Sequence, residues 1–485
     1  MYRASRYNFR LALADRTVLY NARTGQIIEL AGGDACTLAE TLCVFEAEVP
    51  GTAVSPAVFD MLRAGGFVHA ADQDELSLVR SAFLRARDET PMVLTITTTM
   101  DCNLGCYYCY ESRTGDRLKA ADVGAIVDHT RERLERTLRQ SLHVDWYGGE
   151  PLLNPGFMES ASAALQSLCR ELDVAYHASI ISNGTAWPED VGGFVDRHRL
   201  RQVQISFDGL RDHHNRRRRY RAGREADDRG SFDVAWDLVS RLLDHVRVDV
   251  RLNLDRHNAG DLHPFVEKAR SAGWFDRQFP AVLQPARLSA YSERSAFMRR
   301  TELPPAEFDR IRADLRRLVS GTGILIEESE APDGVPEPKS SVCAALATDS
   351  TVVGADGRLY RCGLQVGEVH RAVGRLGDHE VEGPDRRFWT NFDPTKQPQC
   401  SHCSFLPVCW SGCPKKHLEG DTQAISEQGL YWRTNLPRLI ARSIDVAIEP
   451  GTAFTLDEQF RDGYQPAPAP AHPRVLRMVS AGCGC

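Results

Sequence analysis

Alternation of apolar and polar positions divides the chain into a short mixed segment and a long repeat of strands and helices. Residues 7–30 alternate with a period of two, like two strands around a turn at 21–25. Such alternation indicates half-buried strands, whereas apolar residues three or four positions apart indicate amphipathic helices. Patterns of the second kind follow at 34–45, 55–65 and 74–90. Residues 1–90 are therefore predicted to form a small hairpin and a winged-helix-like module.

From residue 93 onward, strand patterns and helix patterns alternate regularly. Six apolar segments, each followed by a helical stretch, begin at residues 93, 143, 176, 201, 246 and 281. Strands that alternate with helices form a parallel sheet with right-handed crossovers. The sequence thus predicts the α/β class, with a partial (β/α)6 TIM-like barrel over residues 91–325. Functional side chains of such folds gather at the carboxyl ends of the strands.

The regular alternation ends beyond about residue 340, where cysteines become frequent up to Cys413. We therefore predict a cysteine-rich C-terminal domain over residues 326–446. From residue 447 the chain is rich in proline and alanine, with PAPAPAHP at 466–473, and it ends in Gly-Cys-Gly-Cys. This composition predicts an extended tail over residues 447–485.

Charge and hydropathy argue against several classes of partner. The 59 basic and 66 acidic side chains give a formal net charge of -7, without a polybasic tail, and this gives no reason to expect nucleic-acid binding. No run approaches the roughly 20 apolar residues of a membrane span. The first residues also lack the apolar core of a secretory signal. The sequence predicts a cytoplasmic protein without nucleic-acid or membrane partners.

The 14 cysteines of the chain are expected to bind metal or to act as redox thiols, because the cytosol keeps thiols reduced. Cys36, Cys43 and Cys169 stand alone in apolar helical patterns and are predicted to be core residues. The other eleven lie in clusters, which calls for a chemical explanation.

The first cluster has the spacing CxxxCxxC and consists of Cys102, Cys106 and Cys109, directly after the first strand of the repeat. A loop there can wrap three thiolates around one iron-sulfur cluster. Three protein ligands leave one iron free to bind a substrate, whereas a cluster with four cysteines mainly transfers electrons. The alternative is a zinc knuckle with a fourth ligand elsewhere. It is disfavoured because His129 and His143 fall in a helix and in a strand.

This motif resembles that of the radical S-adenosylmethionine (SAM) superfamily. An aromatic residue precedes the third cysteine in that family, as Tyr108 does here. Gly148-Gly149-Glu150-Pro151 looks like the family's GGEP motif, which contacts the methionine amino group. The ends of the third and fourth strands are similar to segments that line the carboxylate and ribose sites. The resemblance implies contacts with SAM from Tyr108, Gly148, Gly149, Glu150, Ser182, Asn183, Ser206 and Asp208.

The resemblance also implies the chemistry. The free iron of a 4Fe-4S cluster chelates SAM, and an electron breaks a sulfur-carbon bond to give a 5'-deoxyadenosyl radical. The electron would come from a donor such as flavodoxin or ferredoxin. The protein binds the cofactor, directs the radical to one hydrogen and excludes water. Arg251 and Asn253 on the fifth strand either reach the cofactor or are ordinary polar residues of the barrel lining.

The second group of cysteines resembles the SPASM extension of peptide-modifying radical SAM enzymes. Cys343 and Cys362 are followed by the spacing CxxCxxxxxCxxxC, and the extension holds two auxiliary 4Fe-4S clusters. By this resemblance Cys343, Cys362 and Cys413 serve the first auxiliary cluster. Cys400, Cys403 and Cys409 serve the second.

The chain departs from the SPASM pattern because no cysteine follows Cys413 until Cys483. Each auxiliary cluster therefore lacks one local thiolate. Our hypothesis is that the tail folds back and that Cys483 and Cys485 complete the two ligand sets. The alternative is an open iron, or an oxygen or nitrogen ligand. Candidates for such a ligand are Asp349, Asp356, His402 and His417.

The N-terminal module resembles the leader-peptide recognition element of ribosomal peptide maturases, which adds an extended leader to an exposed strand edge. The arginine run at 216–219 either grips an acidic peptide or forms a solvated loop, and we favour the loop. We predict a maturase that modifies or crosslinks a side chain of a ribosomally made peptide or protein. No catalytic base can be assigned from the sequence.

Two alternative functions compete with this prediction. Maturases that form formylglycine in sulfatases carry an aspartate directly after the cysteine that matches Cys362, whereas Gly363 stands there in this chain. A zinc-stabilised peptide-binding scaffold without activity would contain zinc rather than iron. The intact CxxxCxxC and GGEP motifs argue against it.

Overall fold

The computed structural model describes ten segments of the chain, which are residues 1–13, 16–30, 33–44, 47–111, 113–224, 229–290, 293–326, 336–378, 383–444 and 475–478. They belong to two compact units. The first unit combines residues 1–87 with 329–342 and 391–485, and the second combines 88–328 with 343–390. The cysteine-rich stretch is thus divided between the units.

Two small sheets form the N-terminal part of the first unit. Its elements are β1 (Tyr2–Ala4), β2 (Asn8–Ala12), β3 (Thr17–Asn21), β4 (Gln26–Leu30), α1 (Gly33–Leu42), β5 (Glu48–Val49), α2 (Pro56–Ala64), β6 (Val68–Ala70) and α3 (Glu75–Glu89). Strand β1 pairs antiparallel with β5 and β6, and β2, β3 and β4 form an antiparallel meander. Leu19, Ile28, Leu62 and Phe67 belong to the apolar core of these elements.

The meander contains three strands where the sequence pattern predicts two. The backbone N–H of Leu13 donates to the carbonyl of Arg16 at 2.8 Å, which closes a tight connection between β2 and β3. In the sequence just two residues, 14 and 15, separate Leu13 from Arg16, which is too short an interruption to stand out. The period-two pattern therefore runs through the turn without a visible break.

A ten-stranded sheet is the centre of the second unit. In chain order its elements begin with β7 (Met92–Thr97), α4 (Asp122–Thr137), β8 (Ser141–Tyr147), α5 (Pro155–Glu171), β9 (Ala175–Ser182), α6 (Val191–Arg197), β10 (Leu200–Phe207), α7 (Arg211–Arg217) and α8 (Ser231–Leu242). They continue with β11 (Arg247–Leu254), α9 (Leu262–Ser271), β12 (Val282–Arg287), α10 (Pro305–Val319) and β13 (Leu325–Ile326). Strands β7 to β13 are mutually parallel neighbours in chain order.

The prediction of an α/β fold with a largely parallel sheet is confirmed. The six predicted strands correspond to β7 through β12, and β13 is a short seventh strand that the pattern did not reveal because it has only two residues. Beyond β7 the sheet is extended by β14 (Thr351–Val353), which is parallel, and by the antiparallel strands β15 (Arg358–Tyr360) and β16 (Gly374–Arg375).

The remaining elements complete the two units. Helix α11 (Pro384–Asn391) follows the sheet, and the first unit contains α12 (Leu406–Cys409), α13 (Pro414–Glu419) and α14 (Thr422–Ser443). A last strand, β17 (Val475–Met478), pairs parallel with β4 and gives the sheet order β17-β4-β3-β2. Among the helices of the ten described segments, none is long and apolar enough to cross a membrane.

The two faces of the parallel sheet differ in polarity. In β8, Leu142, Val144 and Trp146 are fully buried, whereas the alternate residues from His143 to Tyr147 are only half-buried. Helix α5 packs on β9, and α8 packs on β10 and β11. Successive side chains of a strand point to opposite faces, so one face carries the apolar core and the other presents polar groups.

An aromatic cluster fixes the end of β10. Phe207, the last residue of that strand, has its ring centroid 5.7 Å from Phe232 and 5.3 Å from Phe265. Trp236 and Trp274 lie behind them with centroids 4.0 Å apart. Because Phe207 directly precedes Asp208, this packing also fixes the position of the Asp208 backbone.

We expect Phe207→Ala to lower the free energy of unfolding by about 3–5 kcal/mol, because it removes a fully buried ring from a close-packed cluster. The matched control is Phe297→Ala, whose ring is 51% exposed. It should change stability by about 0.5 kcal/mol or less. Urea unfolding followed by circular dichroism measures both. Equal losses in the two variants would contradict this account of the cluster.

Candidate active site

The loop that contains Cys102, Cys106 and Cys109 follows β7 and is fastened by two arginines. The carboxylate of Asp101 accepts hydrogen bonds from Arg221 at 2.9 Å and from Arg224 at 3.0 Å. The same carboxylate accepts the backbone N–H of Cys102 at 2.9 Å. Charge-assisted hydrogen bonds of this kind are stronger than neutral ones. They fix the position of the start of the loop.

Burial raises the pKa of all three thiols of this loop. The pKa of Cys102 is raised to about 12, first by burial and then by the negative charge of Glu150. The charge of Cys106 raises the pKa of both Cys102 and Cys109, which makes the three thiols electrostatic neighbours. In the described part of the chain, however, no three Cys, His, Asp or Glu side chains are grouped closely enough to hold a metal ion.

The thiols nevertheless have the chemistry that an iron-sulfur cluster requires. A metal ion stabilises the thiolate form and deprotonates its cysteine ligands. Burial outweighs the nearby positive charge of Arg218, which lowers the pKa of Cys102 and Cys106. The donor set fits an iron-sulfur cluster, which Cys102, Cys106 and Cys109 would hold.

Gly148 and Gly149 make room for the loop. Gly148 has a φ of 136°, and a Cβ there would lie 2.3 Å from the carbonyl oxygen of Thr99. A Cβ on Gly149 would lie 2.5 Å from the carbonyl oxygen of Asp101. The backbone N–H groups of Gly149 and Glu150 donate to these same two oxygens at 3.0 and 2.9 Å. Glycine is required at both positions because the two chain segments touch through their backbones.

Glu150 is fully buried and is surrounded by hydrogen-bond donors. Its carboxylate accepts the hydroxyl of Ser182 at 3.0 Å, the backbone N–H of Asn183 at 2.8 Å and that of Leu152 at 3.2 Å. Burial still raises the pKa of Glu150 to about 7, because these bonds offset desolvation only in part. A buried carboxylate of this kind favours a nearby cation. The structure thus brings three predicted site residues together.

Tyr108 and Asp208 meet at the end of β10. The hydroxyl of Tyr108 donates to Oδ1 of Asp208 at 2.9 Å and accepts from Arg218 at 2.8 Å. Asn253 donates to the same Oδ1 at 3.2 Å. Asn253 is therefore part of the site, and Arg251 donates to its amide oxygen at 3.2 Å. Ser206 lies opposite Arg251 in the register of β10 and β11.

Several buried polar atoms around Asp208 have no hydrogen-bond partner within the segments that the structure describes. They are Asp208 Oδ2, Arg217 Nη1, Arg218 Nε and Asp255 Oδ2. Buried polar groups in folded proteins almost always have a partner. A group of unpartnered polar atoms at the carboxyl ends of parallel strands fits a binding site for a polar ligand.

The expectation of a solvated arginine loop is wrong for Arg217 and Arg218. Both are buried, and Arg217 forms a 2.6 Å ion pair with the fully buried Asp255. Only Arg216 and Arg219 of the run are exposed. The sequence shows only that Asp208 and Asp255 directly follow two apolar strands and need cations when buried, and it does not show which cations supply the charge.

A glutamate beside the third cysteine was also missed. Glu111 lies two residues after Cys109, and its negative charge raises the pKa of that thiol. Burial raises the pKa of Glu111 itself, and a hydrogen bond from Tyr147 lowers it. The hydroxyl of Tyr147 also contacts that of Tyr110. A lone glutamate after the motif gave no pattern from which its burial could be predicted.

The other predicted cysteines lie in both units and are described separately. In the second unit Cys343 is exposed and Cys362 is half-buried. In the first unit Cys400 is buried, Cys403 and Cys409 are half-buried, and Cys413 is exposed. The last two predicted ligands, Cys483 and Cys485, lie outside the described residues.

The cysteines of the first unit form a neighbouring group. Burial raises the pKa of Cys409 to about 11, Lys339 lowers it, and the charges of Cys403 and Cys400 raise it further. Of the predicted alternative ligands, Asp349 is paired with Arg139 at 2.8 Å and Asp356 with Arg358 at 2.7 Å.

Glu150 should make stability depend on pH in a defined direction. Its pKa is about 7 in the folded chain against 4.5 ordinarily, so the folded state binds the proton more tightly. Its stabilising contribution is complete below about pH 4.5 and is lost as the pH rises to about 7. Relative to Glu150→Gln, the metal-free protein should lose about 3 kcal/mol over that range. Urea unfolding at several pH values measures the difference.

The matched control for this prediction is Glu135→Gln, an exposed glutamate of α4. It should leave the pH dependence of unfolding as in the unmodified chain. If the difference in unfolding free energy between the unmodified chain and Glu150→Gln did not change with pH, burial would not penalise the Glu150 carboxylate.

Comparison with known proteins identifies the domain around this site. Residues 96–268 match the model of the radical SAM superfamily. Mycofactocin maturase MftC of Mycobacterium ulcerans (strain Agy99) is 26% identical over 348 residues, which are 67% of this chain and 83% of that protein. A cysteine-type anaerobic sulfatase-maturating enzyme of Clostridium perfringens (strain 13 / Type A) is 23% identical over 334 residues, which are 64% and 85% of the two chains.

A solved structure shows the same fold. Native anSMEcpe with bound AdoMet and Cp18Cys peptide has a TM-score of 0.53 and 19% sequence identity, and the match covers 72% of this chain and 98% of that chain. The matched region of the family model contains the cysteine loop, Glu150 and Asp208. Residues 96–268 therefore form a radical SAM domain, and enzymes of that superfamily use a 4Fe-4S cluster and S-adenosylmethionine.

Proposed function

We propose that this enzyme is a maturase that modifies or crosslinks a side chain of a ribosomally made peptide or protein. The observation that carries the proposal is the cysteine loop of a radical SAM domain beside two buried carboxylates, Glu150 and Asp208, at the carboxyl ends of parallel strands. The relatives MftC and the sulfatase-maturating enzyme are maturases by name. Their similarity supports a peptide or protein as substrate.

In this proposal Cys102, Cys106 and Cys109 hold the 4Fe-4S cluster that binds SAM. When bound, the two groups supply a 5'-deoxyadenosyl radical that abstracts a hydrogen atom from the substrate. The protein keeps the loop in place through Asp101 and through the backbone contacts of Gly148 and Gly149. This role needs a rigid loop, because a radical must be generated at a fixed distance from its target.

Glu150 and Asp208 are proposed to orient SAM from its two ends. The Glu150 carboxylate, with its raised pKa, gains a counter-charge from the ammonium group of the methionine part. The unpartnered Oδ2 of Asp208 accepts a ribose hydroxyl, while its Oδ1 holds Tyr108 in place. Ser182, Asn183 and Ser206 complete the proposed contacts.

We assign the cysteine ligands of the two auxiliary clusters as the SPASM resemblance implies. Cys343, Cys362 and Cys413 serve one cluster, and Cys400, Cys403 and Cys409 serve the other. The SPASM domain would span residues 326–446, after the partial (β/α)6 barrel of residues 91–325. These clusters are proposed to accept an electron from the substrate, and a flavodoxin or ferredoxin is proposed to supply the electron that starts the reaction. A reducing compartment, the cytoplasm, suits thiolate-bound clusters.

The N-terminal module of residues 1–90 is proposed to bind the leader of the precursor peptide by strand addition. A meander sheet offers unpaired backbone groups at its edges for this purpose. In the sheet order β17-β4-β3-β2, the edge of β4 is covered by β17 and the other edge belongs to β2. The leader would therefore add to β2, or take the place of β17 on β4.

Formylglycine formation is the second candidate function, because one of the relatives is a sulfatase-maturating enzyme. The position after Cys362 argues against it. Gly363 stands there and starts a short 3-10 turn through Gln365. It has no carboxylate that could accept a proton. Incubation with a peptide that contains the sulfatase target cysteine distinguishes the two functions by the mass of the product.

Reductive cleavage of SAM tests the proposed function directly. After reconstitution without oxygen the protein should contain about twelve irons per chain, four for each of three clusters. With dithionite and SAM it should release 5'-deoxyadenosine. The triple variant Cys102→Ala, Cys106→Ala, Cys109→Ala should lose about four irons and all 5'-deoxyadenosine, as measured by iron assay and chromatography.

The control for that experiment is Cys43→Ala, a half-buried cysteine far from any motif in the sequence. It should keep both the iron content and the cleavage activity. Stoichiometric zinc with no 5'-deoxyadenosine from the unmodified protein would contradict the proposal and support the zinc-stabilised scaffold.

The tail hypothesis makes a separate prediction. If Cys483 and Cys485 complete the auxiliary clusters, their joint replacement with alanine should lower the iron content and change the electron paramagnetic resonance of the reduced auxiliary clusters. Cleavage of SAM should persist, because the cluster that binds SAM has its own three ligands, Cys102, Cys106 and Cys109. Unchanged iron and an unchanged spectrum would refute the hypothesis. Iron assay and spectroscopy on the same preparation give both readouts.

A further inference from the structure

Three consecutive residues between Cys409 and Cys413 adopt left-handed backbone conformations. The φ angles are 46° at Trp410, 68° at Ser411 and 72° at Gly412. Only glycine adopts this region without penalty, and each non-glycine residue costs about 1–2 kcal/mol there. Backbone strain of this kind persists only where the surrounding structure imposes it, and it concentrates at functional sites.

The strained turn is held from both sides. Trp410 donates its backbone N–H to the carbonyl of Leu406 at 2.9 Å, and its indole packs edge-on against Phe83 with centroids 5.4 Å apart. Gly412 donates to the carbonyl of Cys409 at 3.1 Å. These contacts leave Ser411 little freedom. Its side chain is directed inward, and the residue is 5% exposed.

Ser411 connects a cysteine to a histidine. Its Oγ lies 3.1 Å from Sγ of Cys400, which is also buried. Nε2 of His417, on α13, lies 2.8 Å from the same Oγ and 2.9 Å from the carbonyl oxygen of Ser411. The His417 ring packs against Phe392 with centroids 5.4 Å apart, which fixes its orientation.

The two contacts of His417 determine the direction of the hydrogen bonds. A carbonyl oxygen can only accept, so Nε2 carries the hydrogen and donates to both oxygens of Ser411. The hydroxyl oxygen of Ser411 is then used as an acceptor. Its single hydrogen remains available for the sulfur of Cys400. The sulfur becomes a pure acceptor once it is a thiolate ligand.

We propose that the Ser411 hydroxyl donates a hydrogen bond to the Cys400 sulfur in the loaded enzyme and that His417 orients this hydroxyl. Together the two residues set the reduction potential of one auxiliary cluster. This is the cluster bound by Cys400, Cys403 and Cys409. The inference rests on the proposed function, since it takes from it the cluster at these three cysteines. Ser411 and His417 are positioning residues that do not touch the substrate.

Hydrogen bonds to cluster sulfur atoms raise the reduction potential. The reduced cluster carries one more negative charge than the oxidised one, and a donor to its thiolate stabilises that charge. An electron-accepting cluster needs a potential high enough to take an electron from the substrate. The backbone strain at Trp410 and Ser411 is then the structural cost of keeping the donor aimed at the sulfur.

The test is a redox titration of the reconstituted enzyme, followed by electron paramagnetic resonance. It is done in the Cys102→Ala, Cys106→Ala, Cys109→Ala background, which leaves only the auxiliary clusters to titrate. Comparison with Cys400→Ala assigns the signal of the relevant cluster. Ser411→Ala should shift the midpoint of that signal to a more negative potential, with the iron content unchanged. The signal of the other auxiliary cluster should not move.

Three further variants sharpen the test. His417→Leu should shift the midpoint in the same direction by a smaller amount, whereas His417→Gln keeps an N–H donor and should restore most of the original midpoint. The double variant of Ser411→Ala and His417→Leu should shift no further than Ser411→Ala alone, because both act through one hydrogen bond. Ser404→Ala is the matched control, since this serine belongs to the same loop and is half-buried.

An unchanged midpoint in Ser411→Ala overturns the inference. So does a loss of about four irons in that variant, because Ser411 would then be a ligand and not a hydrogen-bond donor. An equal shift of the midpoint in Ser404→Ala would show that any change in this loop disturbs the cluster, and it would overturn the inference as well. Absence of any auxiliary cluster in the unmodified enzyme would overturn the cluster assignment of the proposed function, and the inference with it.

Discussion

The contact between the backbone after β7 and the backbone after β8 controls the geometry of the active site. Two hydrogen bonds, from Gly149 to Thr99 and from Glu150 to Asp101, join the segments at 3.0 and 2.9 Å. The parallel pairing of β7 and β8 brings the segments together, and the missing side chains of Gly148 and Gly149 let them touch. As a result the cysteine loop and the buried Glu150 are placed by one rigid connection. A side chain at either glycine would separate them.

Buried charge is the second constraint on this end of the sheet. Glu150, Asp208 and Asp255 are all fully buried, and each follows directly or closely on a strand. Arg217 compensates Asp255, whereas Arg218 lies 3.6 Å from Asp208 and compensates it less completely. Because the charge of Asp208 is only partly compensated, a ligand that interacts with its carboxylate offsets the remaining desolvation penalty. A polar ligand that supplies the missing partners gains binding energy from groups that are already in place.

Regular patterns in the sequence were sufficient for the parallel sheet, and motifs singled out residues that the structure brings together at the carboxyl ends of its strands. The six strands, the cysteine spacing and the Gly-Gly-Glu segment each follow from local periodicity or from a motif. Contacts between distant segments were not predictable in this way. The burial of Arg217 and Arg218 depends on acids that lie elsewhere in the chain, and the left-handed turn at Ser411 depends on packing around Trp410. Neither has a local signature, because the same residues in an exposed loop would look identical.

The short strand β17 has a consequence for the tail that follows it. Residues 475–478 are paired with β4, so the tail begins its last stretch from a fixed point on the first unit. Cys483 comes five residues after Met478, and five extended residues reach at most about 17 Å. Pairing of β17 thus limits the distance of the terminal thiols from β4 to the reach of a few residues, which sets their effective concentration there. The tail segment before β17 can vary in length with little effect on that concentration.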